Sequence, residues 1–133
     1  MVKISPSSQD YLEIILGLSK DGVPVRSIDI ANTMGYSRAS INRAVNVLKN
    51  AGLVAQEKYG TLSLTKEGLI TAQAVRERHN ILKNFLIDLL QVSESTAEED
   101  ACRMEHIISE ETLIKLVKYT QEVKAASEEI MNN

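Results

Sequence analysis

The sequence has no tryptophan, one phenylalanine, two prolines, six glycines and a single cysteine. One cysteine, Cys102, excludes an intrachain disulfide and fits a chain kept in a reducing compartment. No apolar run approaches the roughly 18 residues of a membrane span, so no membrane partner is expected. The opening stretch through Tyr11 lacks the apolar core of a signal peptide, so export is not expected and the localisation read here is cytoplasmic. So few glycines and prolines leave few breaks, and the fold class expected is mainly α. No internal repeat or low-complexity tract interrupts the chain. What is there is ordinary: 133 residues, 44% hydrophobic and 25% charged, enough to build a core without a disulfide or metal staple.

The net charge of −3 weighs against a nucleic-acid binder until it is divided along the chain. Residues 1–90 carry eleven Lys/Arg against eight Asp/Glu, and residues 91–133 carry four against ten. A mildly basic front and an acidic back point to two tasks.

In the front part, Ser5-Pro6 opens a helix, because serine caps free amides and proline tolerates the first helical position. Leu12, Ile15, Leu16 and Leu18 follow at helical spacing, and a polar turn at residues 19–22 ends it. Asp10 and Glu13, three apart, share one face. In residues 25–54, Ile28, Ile30, Ala31 and Met34 mark a short helix and Gly35 a turn. Ser37 caps a second helix from Arg38 to about Ala51, with Ile41, Ala44, Val45 and Leu48 as its buried stripe. Gly52 is its stop. This is the helix-turn-helix order, in which the second helix enters the major groove.

The face opposite that stripe carries Arg38, Ser40, Asn42 and Arg43, side chains able to meet base edges and phosphates. Arg26, Tyr36 and Ser37 join them as candidate DNA contacts. A plain helical hairpin with a polar outer face is the competing reading. Residues 53–57 and 62–64 then flank a Gly60-bearing turn, which reads as a β-hairpin. A hairpin behind a recognition helix is a wing, and Lys58 and Tyr59 at its tip are candidates for backbone contact.

Behind the wing, Thr65 starts a long helix to about Leu90, with Glu67 and Gly68 in its first turn and a broad apolar face. Gln91-Val92-Ser93 is the break. A helix over about Thr96 to Ile108, capped near Ser95, is expected next. Another follows from Ser109 to about Tyr119, with a helical tail. Residues 81–119 hold more apolar surface than one thin helical layer covers, which a symmetric dimer would bury.

The chain has two histidines, His79 and His106. Cys102, Glu105 and His106 are spaced i, i+3, i+4, so a helix would bring them to one side. Thiolate, carboxylate and imidazole are transition-metal ligand chemistry. With Asp10, Glu13 and His79 they make six candidate ligands. A solvated Glu-His pair on a helix surface is the competing reading of the triplet.

Taken in order, these pieces resemble the diphtheria toxin repressor and manganese transport regulator family of metal-dependent repressors. The resemblance rests on Asp10-Tyr11-Leu12-Glu13, the helix-turn-helix of residues 25–54 and the wing at Glu57-Lys58-Tyr59-Gly60. It continues through Leu64-Thr65-Lys66-Glu67-Gly68, Arg78-His79 and Glu105-His106. It implies an N-terminal winged helix-turn-helix with a small β-hairpin wing over residues 1–68. A helical metal-binding and dimerisation domain over residues 69–133 follows, in the shorter manganese-type architecture without a β-rich third domain. By resemblance Asp10, Glu13, His79, Glu105 and His106 match ligands of manganese-type members, which usually carry a carboxylate where this chain has Cys102. Iron-type members carry cysteine there but methionine in place of Asp10, and an acidic residue in place of Lys83.

The function so implied is a repressor of metal-uptake genes, with Fe²⁺ or Mn²⁺ as co-repressor and Zn²⁺ or Co²⁺ binding in vitro. Its partners are a palindromic operator in double-stranded DNA and a second copy of the chain. Metal joining the two halves would favour one arrangement of the recognition helices. A winged-helix regulator sensing an organic ligand, or redox state through Cys102, is the alternative. No enzymatic activity is expected, because common metal-hydrolase spacings are absent and the helix-turn-helix would stand unexplained.

Overall fold

The computed structural model describes residues 4–20, 23–57 and 60–132, which divide into two compact units, Met1–Arg76 and Glu77–Asn133. In chain order the elements are α1 (Pro6–Leu18), β1 (Val25–Arg26), α2 (Ser27–Met34) and α3 (Arg38–Asn50). They continue with β2 (Val54–Gln56), β3 (Thr61–Leu64), α4 (Lys66–Asp88), α5 (Glu94–Met104) and α6 (Glu110–Asn132).

The local signals of the first unit act as the sequence predicts. Ser8 N–H donates to Ser5 Oγ at 3.1 Å, and Pro6 takes the first helical position of α1. Gly35 closes α2 at φ 72°, in the left-handed region that glycine enters without steric cost. The Ser37 hydroxyl accepts the Ser40 amide at 3.3 Å and starts α3. Ile41, Val45 and Leu48 of α3 are buried and Ala44 half-buried. They pack with Leu12 and Ile15 of α1, Ile30 of α2 and Leu53 in one apolar cluster. Each fully buried leucine, isoleucine or valine among them contributes about 1.5–3 kcal/mol by leaving water.

The expected hairpin is present as β2 and β3, paired Val54 with Leu64 and Gln56 with Leu62. The sequence reading missed a third strand. β1 pairs antiparallel with the other edge of β3, Val25 opposite Leu62 and Arg26 opposite Thr61, in the order β1-β3-β2. Two residues carry no readable alternation, so only the pairing itself defines this strand.

The start of α4 is locked to the end of α3 through backbone. Thr65 N–H donates to Leu53 O at 3.0 Å, its hydroxyl donates to Gly52 O at 2.7 Å, and it accepts the Gly68 amide at 3.0 Å. A Cβ on Gly68 would stand 1.8 Å from Leu53 O, so only glycine permits this approach.

The second unit has a smaller core. Leu82 and Leu86 of α4 meet Ala97 and Ala101 of α5, where small side chains let the helices approach, with Phe85, Met104, Leu113 and Leu116 around them. Two expected boundaries shift here. α5 starts after Ser93 rather than Ser95 and ends at Met104 rather than about Ile108. Glu105 keeps helical dihedrals as its C-cap (φ −59°, ψ −25°), while His106 stands in the turn that follows. The chain turns there to enter α6, with the amides of Ile107 and Ile108 both donating to Met104 O. Cys102, Glu105 and His106 therefore do not share one uninterrupted helix. α6 runs through Tyr119 to Asn132 as one helix, because residues 110–132 contain no glycine or proline. It leaves Ile114, Tyr119, Ile130 and Met131 exposed. Among the described residues, no helix is long and apolar enough to cross a membrane.

Candidate metal centre and nucleic-acid interface

The first unit turns a polar face outward around α3. Arg38, Asn42 and Arg43 are exposed, as are Arg26 and Tyr36. Ser37 is exposed but engaged as a cap, its hydroxyl donating to Ser40 Oγ at 3.0 Å, and Ser40 is half-buried. These two serines shape the start of α3. β1 carries Arg26 to the sheet. Arg26, Arg38 and Asn42 line one groove of about 310 Å³ with Gln56 and Gly60 of the hairpin. Gln56 was missed in the sequence. It accepts from Lys49 Nζ at 3.1 Å, a contact between α3 and β2 that only pairing brings together. Lys58 and Tyr59 lie outside the described residues. Asp10 and Glu13 are half-buried on α1, one residue from the core positions Tyr11 and Leu12. Burial, and secondarily the neighbouring Tyr36, pushes the Tyr11 phenol above its ordinary value of 10.0.

The second unit gathers the other four candidate ligands around one carboxylate. Glu105 has no accessible surface. Its Oε2 lies 2.9 Å from His79 Nδ1, and its Oε1 lies 3.4 Å from His106 Nε2. Cys102, exposed on α5, holds its sulfur within 4.8 Å of a Glu105 carboxylate oxygen. α4 supplies His79, α5 supplies Cys102 and, as its C-cap, Glu105, and His106 comes from the turn that follows. A fully buried carboxylate is costly unless positive charge or strong hydrogen bonds compensate it. Two imidazoles and a thiol converging on it are the donor set that suits a first-row divalent metal. The residues present therefore fit such an ion.

The other side of His79 was not foreseen. His79 Nε2 lies 3.1 Å from Glu98 Oε1, and Lys83 Nζ lies 3.0 Å from Glu98 Oε2 and 3.9 Å from Glu94. The Lys83 ammonium, then the hydrogen bond to His79, hold the Glu98 carboxyl below its ordinary value of 4.5. Glu98 in turn raises the Lys83 ammonium. In sequence, the only sign of Glu98 was its place one helical turn before Cys102.

Comparisons with known proteins cover nearly the whole chain. Residues 3–62 match the family model described as the iron dependent repressor N-terminal DNA binding domain. Residues 65–129 match the iron dependent repressor metal binding and dimerisation domain. An HTH-type transcriptional regulator of Methanocaldococcus jannaschii is 30% identical over 91% of this chain and 98% of its own length. The transcriptional regulator MntR of Escherichia coli O157:H7 is 38% identical over 84% of this chain and 72% of its own. Among solved structures, the manganese regulator SloR superposes with a TM-score of 0.78 at 29% identity. That match covers 89% of this chain, which spans about half the SloR chain, 55%.

Proposed function

The chain belongs to the iron-dependent repressor family, and from that premise we propose that it is a DNA-binding repressor whose co-repressor is Fe²⁺ or Mn²⁺. The observation that carries the reading is the fully buried Glu105 carboxylate with an imidazole at each oxygen. His79, Cys102, Glu105 and His106 would hold the ion, and Asp10 and Glu13 of α1 complete the proposed set. A bound divalent ion supplies the positive charge that these donors would share. The carboxylates and imidazoles suit Mn²⁺ and Fe²⁺, while the Cys102 thiolate moves preference toward Fe²⁺, Co²⁺ or Zn²⁺.

The DNA-binding half of the reading rests on Arg26, Arg38, Asn42 and Arg43. Arginine can grip guanine bidentately and asparagine can read adenine. Ser37, Ser40 and Tyr36 would position α3, and Lys58 and Tyr59 of the wing would add phosphate contacts that give affinity without sequence information. The family model of residues 65–129 is a dimerisation domain, and the exposed apolar residues of α6 match that role. A homodimer would read a palindromic operator, in the cytoplasm, before metal-uptake genes, and no catalysis is assigned.

Operator binding measured anaerobically with and without each metal tests this. Binding should tighten on addition of Fe²⁺ or Mn²⁺, and Glu105→Ala should abolish the response while leaving weak nonspecific affinity. Failure of both metals to promote binding, or an unchanged metal response in Glu105→Ala, would sink the assignment.

A further inference from the structure

The histidine between the two carboxylates is held from both sides by different chemistry. Its Nδ1 faces the buried Glu105, 2.9 Å away, on the side where Cys102 and His106 converge. Its Nε2 faces Glu98, 3.1 Å away, on the side where the Lys83 ammonium stands 3.0 Å from the same carboxylate. The imidazole itself is largely buried, at 9% side-chain exposure, whereas Glu98 is half-exposed. A neutral imidazole carries one proton, and the nitrogen that keeps it cannot bind a metal. Ligating histidines commonly give their other N–H to a carboxylate, which fixes both the tautomer and the ring plane.

We propose that Glu98, anchored by Lys83, is a positioning residue that holds the Nε2 proton of His79 and so presents the Nδ1 lone pair to the metal beside Glu105. This rests on the metal-binding reading above and deepens it. Lys83 supplies a tethered cation that keeps Glu98 at the ring. The cation thus acts through Glu98 without itself touching the histidine. Neither residue belongs to the proposed ligand set, and both come from the same pair of helices that supply His79 and Cys102.

The test uses the full chain labelled with ¹⁵N-histidine, loaded with diamagnetic Zn²⁺, and read by long-range ¹H–¹⁵N correlation together with Zn²⁺ affinity from a chelator competition. The wild type should show the His79 proton on Nε2 and none on Nδ1. Glu98→Gln should weaken Zn²⁺ binding by about 10–100-fold, the usual cost of losing such a partner, and shift the Nε2–H resonance. Lys83→Met should move the same resonance in the same direction with a smaller loss of affinity, which provides an independent route should the first variant fold poorly. Glu99→Gln, an exposed position on the same helix, should match the wild type. A proton on Nδ1, or wild-type affinity in Glu98→Gln, overturns the positioning role alone. A wild type that takes up no Zn²⁺ overturns the metal reading and this inference with it.

Discussion

His79 Nδ1 and Glu105 Oε2 stand 2.9 Å apart, joining the middle of α4 to the C-cap of α5 across 26 residues of sequence. The pair brings a nearly buried imidazole to a carboxylate without solvent access. Stability of the second unit and occupancy of the centre should therefore be linked.

Metal addition should raise the melting temperature of the wild type, because an ion that binds only the folded chain stabilises it by mass action. The gain is about 2.7 kcal/mol at a hundredfold excess over Kd. Differential scanning calorimetry with Mn²⁺, then with excess chelator, measures it. In Glu105→Ala the shift should vanish.

Two glycines should respond in opposite directions to alanine. Gly68→Ala drives a methyl into Leu53 O, 1.8 Å away in backbone that cannot yield cheaply, and should cost about 1–3 kcal/mol or more. Gly17→Ala meets only the end of the flexible Arg76 side chain, at 3.3 Å, within α1. It should be neutral or stabilise by up to about 1 kcal/mol, since glycine is a poor helix former. Urea denaturation of both variants makes the comparison.

In DNA binding, Arg38→Ala or Asn42→Ala should cost about 1–3 kcal/mol of operator affinity and relax discrimination where a base contact is lost. Arg26→Ala should instead weaken operator and random DNA alike, lowering the salt dependence by about one unit of slope if it meets phosphate. Fluorescence anisotropy over a salt series separates the two behaviours.

Acid should remove the contribution of the Lys83–Glu98 pair. The carboxyl of Glu98 is depressed in the folded chain by Lys83 first and His79 second, so its stabilisation is present above the ordinary value of 4.5. That stabilisation is lost as pH falls through the lower folded value. The stability difference between wild type and Lys83→Met should thus be largest near neutrality and shrink below pH 4.5, followed by thermal melts in metal-free buffer.

Removing core volume should distinguish the two units. Leu12→Ala and Leu82→Ala each empty a fully buried position and should cost about 2–5 kcal/mol. Leu82 belongs to a cluster with only three other buried residues, so its loss should selectively expose amides of α5 to hydrogen exchange.

Much of the architecture was legible because its signals are local. Ser5-Pro6, Gly35, Ser37 and Thr65 end or begin helices through hydrogen bonds and dihedrals that involve neighbours in sequence, and the structure uses each of them. The periodic stripe of α3 needed only the 3.6-residue repeat to reveal its buried side. Even the residue types of the candidate centre could be read, since histidine and cysteine are scarce here. Local signals failed where two serines competed. Ser93, not Ser95, begins α5, and it does so without a side-chain capping hydrogen bond, so serine capping chemistry could not have chosen between them.

What the tertiary structure alone decided are the pairings between distant segments. β1 exists only because β3 lies beside it, and through it Arg26 reaches the groove shared with Arg38 and Asn42. Glu98 looked like one acid among ten in an acidic stretch until packing of α4 against α5 set it between His79 and Lys83. Glu105 likewise loses its accessible surface only in the folded chain. Residue type and local helical phase are properties of the chain itself. Which carboxylate loses its water, and which imidazole it meets, follows only from contacts made after the chain has folded.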